Sequence, residues 1–202
     1  MSRIRAAAAV TAVVSLAFAA VAFAAPTKIT GGTTQITASA AALTLLSDNH
    51  LTVTPVAPAT ASGGTFTFPI SGGSLNLKTL HGVIRHKGGL QISNGTQTVA
   101  LRQLVLVSTA KGASLDALVR GPVVRVCRRV GRHHLRLKCT AIARLATARI
   151  ATVTNVKLSN STATGTLKIT AFTAAAINRL AGKQVAVAGD TLGTGTITPT
   201  LQ

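Results

Sequence analysis

Residues 90–106 read LQISNGTQTVALRQLVL. Asn94-Gly95 separates 90–93 from 96–101, two runs rich in alternating apolar and polar side chains. Asn and Gly tolerate the positive φ angles of a tight hairpin turn, which makes this the strongest hairpin signal in the chain. Short extended segments recur on both sides: 28–37, 50–56, 65–70, 74–77 and 80–87 before it, then 98–108, 114–119, 153–158, 164–170, 184–187 and 194–199. Thr, Val and Ile dominate them, and such side chains suit a pleated, half-buried surface. Gly31-Gly32 and Gly72-Gly73 read as turns. Two stretches have helical spacing instead. One is 38–47, ASAAALTLLS; the other is 173–180, TAAAINRL, with Thr173 as N-cap and Gly182 as C-cap. The sum is a mainly-β chain, an antiparallel β-sandwich-like domain with two short helices.

Residues 1–24 stand apart from this pattern. Arg3 and Arg5 precede an apolar run, and Ala22-Phe23-Ala24 has the small-x-small spacing of a signal-peptidase site before Ala25. The run is long enough to span a bilayer but is built largely of Ala, with no polar stop-transfer cluster after it. The expectation is a cleaved signal peptide over 1–24 and a secreted, extracytoplasmic single domain over 25–202.

The charge is lopsided: Lys plus Arg number 21 and Asp plus Glu 3, a formal net charge of +18. Nine of the cations fall between Arg120 and Arg149. Such a surface attracts polyanions. The chain has no Trp and no Tyr, so it offers almost no stacking platform for nucleic acid bases. In an exported protein the remaining candidates are anionic cell-envelope polymers and anionic lipid headgroups. The densest stretch, CRRVGRHHLRLKC, is bracketed by Cys127 and Cys139. Its flanks alternate, so it reads as a basic hairpin with Arg128, Arg129, Arg132, Arg136 and Lys138 as polyanion-binding candidates. Two cysteines on paired strands in an oxidising compartment make a disulfide most simply. A zinc site with His133 and His134 is the alternative. Adjacent residues on a strand point to opposite faces, which sets those two imidazoles apart. An enzyme is not expected. Asp48, Asp116 and Asp190 are the only acids, and no Gly-x-Ser-x-Gly elbow or metal triad occurs.

Four stretches are more specific than composition: TVTPVAPA at 52–59, FPISGG at 68–73, GVIRHKGGL at 82–90 and the run 99–106. With AAAINRL near 174–180, Ala188-Gly189-Asp190 and Leu192-Gly193-Thr194, they resemble the HtaA-like (heme-transport-associated) domain of exported actinobacterial proteins. The resemblance covers most of 30–200 and is interrupted by the basic stretch. It implies a β-rich exported domain that captures heme, with a tyrosine phenolate on the iron and a supporting histidine. This chain has no tyrosine. His86 stands where the family histidine is expected, and a histidine can itself ligate heme. The resemblance therefore implies a heme-associated binding domain with His86 as its candidate residue. The alternative is a cell-surface adhesion module acting through the basic hairpin.

Overall fold

The structure is a computed structural model. It describes residues 25–202 apart from 122–123, 131–135 and 143–144, with backbone alone for 124–130, 136–142 and 145. The leader read at 1–24, Arg132, His133 and His134 lie outside the described residues. In chain order the elements are β1 (Thr27–Ala38), α1 (Ala40–Asp48), β2 (Thr52–Val56), β3 (Thr60–Ser62), β4 (Thr65–Leu75), β5 (Gly82–His86) and β6 (Gly89–Ser93). They continue with β7 (Thr98–Thr109), β8 (Gly112–Arg120), β9 (Val124–Val130), β10 (Arg136–Ile142), β11 (Leu145–Ser159), β12 (Thr162–Ile169), α2 (Ala171–Ala181) and β13 (Thr191–Leu201).

The Asn94-Gly95 hairpin joins β6 to β7. Asn94 Oδ1 accepts from the Thr96 and Gln97 backbone N–H groups at 3.0 and 2.7 Å, and Gly95 takes φ 87°. Beyond the turn the ladder runs Ser93↔Thr98 to Gly89↔Arg102. β7 then breaks at Gln103, φ 50°, and pairs with β5 from Val105 onward.

The strands pair antiparallel in the order β7-β5-β4-β1-β13-β12-β11-β8, and β8 pairs again with β7. Eight strands thus close into a barrel, with β2 and β6 added along the first half of β7 and β3 beside β4. The sandwich expected from sequence is corrected here. Inward–outward alternation is the same in both architectures, and only the β7–β8 ladder removes the free edges.

Two glycine pairs also act differently from their reading as turns. Gly31-Gly32 stays inside β1, next to a register shift against β13. Gly72-Gly73 stays inside β4, where a bulge after Ile70 bends the strand. A Cβ on Gly73 would lie 2.1 Å from the Val83 carbonyl oxygen, so glycine there permits the close approach of β5.

The barrel is filled by aliphatic side chains around Phe68, which is 1% exposed. Ile29, Ile70, Leu75 and Ile84 form a smaller cluster apart from the main core. At the opposite rim β1 runs into α1 and β12 runs into α2. The registers Ala38↔Gly193, Ala151↔Ile169 and Leu145↔Arg120 bring the ends of β1, β12 and β8 to this one rim. β9 and β10 leave from it as a separate two-stranded ribbon, and β9 runs alongside α2.

Candidate functional site

The two helices at this rim differ in how they are held. α2 starts at Thr170, one turn before the Thr173 read as its cap. The Thr170 hydroxyl accepts from Thr173 N–H at 3.3 Å and donates to the Arg149 carbonyl at 2.7 Å. Gly182 ends the helix in the left-handed region, φ 70°. Phe172, Ala174, Ala176, Ile177 and Leu180 are buried, and each large apolar side chain among them stabilises by about 1.5–3 kcal/mol. The segment 184–187, read as a strand, is irregular. The Asn178 amide holds it instead, accepting from Val185 and Ala186 N–H and donating to the Ala186 carbonyl, at 2.7–2.8 Å.

α1 has no buried residue. Its N-cap Ser39 accepts from Ala42 N–H and donates to the Thr191 carbonyl, both at 3.1 Å. Leu45 and Leu46 reach the core only partly, and Leu43 is 42% exposed. α1 faces the space beneath it with the small side chains of Ala41 and Ala42 beside the half-buried Leu45 and Leu46. A cavity of about 380 Å³ is left between α1, α2, the barrel rim and the β2–β6 flank. This lies within the range of small-molecule pockets, about 300–1,000 Å³. Leu45, Phe66, Leu101, Leu104, Ile150 and Ile177 typify its wall, and its polar members are Ser39, Thr173, Asp190 and Thr191. The Ser39 and Thr173 hydroxyls are already engaged, and Asp190 Oδ2 accepts from Val187 N–H at 2.9 Å. Among the described residues no His, Cys, Met, Lys or Arg lines it.

His86 is elsewhere. It ends β5 and faces a second cavity of about 60 Å³ inside the barrel, and Ile36 and Leu115 border both spaces. Its Nδ1 lies 3.0 Å from the Leu104 carbonyl, which can only accept, so Nδ1 carries the proton. Nε2 is therefore the acceptor, and Thr34 Oγ1 donates to it at 2.7 Å. Phe68 meets the ring edge-on, with centroids 6.4 Å apart. Burial pushes the His86 pKa below its ordinary value, against the opposing pull of the Leu104 carbonyl. The imidazole is thus neutral, with both nitrogens satisfied inside the barrel.

The ribbon brings the cysteines together in register. Cys127 stands opposite Cys139, flanked by Arg128↔Lys138 and Val130↔Arg136. Arg128, Arg129, Arg136 and Lys138 lie on its strands. No group of three His, Cys, Asp or Glu side chains gathers to hold a metal among the described residues. No helix there is long and apolar enough to cross a membrane. The rim cavity is the feature that the sequence did not disclose. The only signal of it was the run of Ala in 38–42, which gives a helix no bulk to pack.

No family model matches the sequence, and no curated protein matches it. Solved structures do match. The C-terminal domain of HtaA from Corynebacterium glutamicum superposes with a TM-score of 0.57 at 13% identity, over 87% of this chain and 99% of that one. The heme-binding protein HtaB from the same organism gives 0.57 at 13% identity, over 88% and 96%. The N-terminal domain of HtaA gives 0.56 at 14% identity, over 84% and 97%. The chain thus shares the fold of these HtaA and HtaB structures.

Proposed function

We propose that this chain is an exported binding domain that encloses an apolar small molecule in the rim cavity. The observation that carries this is the cavity itself: about 380 Å³, walled by aliphatic side chains and roofed by a helix with no fully buried residue. The leader read at 1–24 supports export, and a neighbour named as a heme-binding protein supports a heme-associated role.

Heme fits this cavity in one respect only. The aliphatic wall suits the faces of a macrocycle. The iron finds no partner: the chain has no tyrosine, and no His, Cys or Met lines the wall among the described residues. His86 faces the other cavity with its Nε2 lone pair taken by Thr34. A porphyrin here is held by burial of its ring and not through its metal.

Titration of the mature chain with hemin and with iron-free protoporphyrin IX tests this. The two dissociation constants are expected to agree within about threefold, less than 1 kcal/mol. His86→Gln is expected to leave the hemin Soret band where it is. Hemin binding more than about tenfold tighter, with the Soret band moved by His86→Gln, contradicts the reading. Adhesion to anionic envelope polymers draws on the charge of the ribbon alone and gains no separate observation from the fold.

A further inference from the structure

The second cavity, inside the barrel, lies directly below the rim cavity. All eight barrel strands contribute to its wall. Alternate side chains along single strands lead from one space into the other. On β1, Ala38 lines the rim cavity, Ile36 borders both spaces and Thr34 lines the lower one. On β11, Ala151 lines the upper space and Val153 the lower; on β12 the pair is Ile169 and Leu167. Each step of two residues advances about 6.5–7 Å along a strand. The two spaces are therefore consecutive lengths of one axis. Among the described residues, Ile36 and Leu115 are the side chains common to both walls.

Their widths differ. Gly195, Ile197 and Pro199 of β13 line the lower space in alternation, so it runs for about 13 Å along the strand. Its volume is only about 60 Å³. About 10–15 Å³ of such space admits one water-sized group, and an apolar cavity of about 150 Å³ admits a benzene ring. The lower space is thus a narrow bore, with room for a single file of about four to six methylene-sized groups and for no ring. Its fully buried polar members, Thr34 and His86, are bonded to each other at 2.7 Å, and the His86 Nδ1 proton is taken by the Leu104 carbonyl. The pair asks nothing of an occupant, and a hydrocarbon chain offers nothing. Resting on the cavity reading above, we propose that the ligand has a broad apolar body and one unbranched aliphatic chain. The body occupies the rim cavity, and the chain passes between Ile36 and Leu115 into the bore. A change of rotamer at either side chain widens that passage.

The test uses the mature chain with pyrene, 1-butylpyrene and 1-tert-butylpyrene, whose own fluorescence reports binding. All three are neutral, so the charge of the ribbon does not enter. The butyl isomers contain the same atoms, but only the linear one can extend into a single file. Each methylene taken up by the bore tightens binding about fourfold. 1-Butylpyrene is therefore expected to bind at least about tenfold tighter than 1-tert-butylpyrene. Ala113→Leu and Ala163→Leu each add bulk to the bore wall at a residue that does not line the rim cavity. Either variant is expected to bring the isomers to equal affinity while pyrene binds as before, which also shows that the variant is folded. Equal or reversed affinities of the isomers in the unaltered chain overturn the inference and leave the cavity reading standing. A difference that survives in a variant that still binds pyrene does the same. If neither pyrene nor either isomer binds the unaltered chain, the cavity reading itself fails.

Discussion

Phe68→Ala is expected to lower the stability of the domain by about 3–5 kcal/mol. Phe68 is 1% exposed, pairs with Thr34 across the β1–β4 ladder and meets His86 edge-on. No other aromatic ring is fully buried among the described residues. The aliphatic neighbours are fixed to barrel strands and cannot collapse into the space that a lost ring leaves. Transfer and cavity costs then add. A domain of this size has roughly 5–15 kcal/mol in all, so the variant stands near the edge of folding. Urea denaturation measures it: the midpoint falls sharply while the slope is kept. A loss under about 1 kcal/mol would show that the barrel repacks freely around this position.

The second large effect concerns the ribbon. β9 and β10 pair only with each other, and an isolated two-stranded ladder is marginal in water. Cys127 and Cys139 are directly opposed, where Cα separations of about 4.5–5.5 Å fall inside the span of a disulfide. We propose that they are bonded in the oxidised protein, which stabilises the closed loop by about 2–4 kcal/mol. Trypsin reads this out, because Arg128, Arg129, Arg136 and Lys138 place its cleavage sites on the ribbon. Reduction, or Cys127→Ser/Cys139→Ser, is expected to speed cleavage there at least about tenfold while the barrel stays intact. Equal rates before and after reduction, with both thiols titratable in the untreated protein, sink the disulfide.

The features legible in the sequence are those set by local chemistry. The Asn94-Gly95 turn, the Ala-rich helix near 38–47 and the Gly182 cap all follow from side chains acting on their own backbone, and they are found in place. Features set by contacts distant in sequence were not legible. The β7–β8 ladder separates a barrel from a sandwich without changing any alternation. The 184–187 segment has strand composition, yet the Asn178 side chain takes the hydrogen bonds a neighbouring strand would have made.

The site divides in the same way. His86 is the candidate heme residue that the resemblance implies, and in the structure it is buried, neutral and doubly hydrogen-bonded. Those surroundings are structural: they tie β5 to β1 and to the Leu104 carbonyl, away from the rim cavity. The cavity is lined on the α1 side by Ala41 and Ala42 together with Leu45 and Leu46. A cavity is a deficit of volume, and no motif spells a deficit.

The central claim is that this space beneath α1 takes up an apolar molecule. Ala42→Trp tests it most directly, because Ala42 lines the cavity and an indole there would fill it. Titration of N-phenyl-1-naphthylamine into the unaltered chain is expected to give a saturable rise in fluorescence. In Ala42→Trp the affinity is expected to fall at least about a hundredfold, ~2.7 kcal/mol, with the thermal midpoint unchanged or raised. Saturable binding that survives in the folded Ala42→Trp protein at the original affinity contradicts the account.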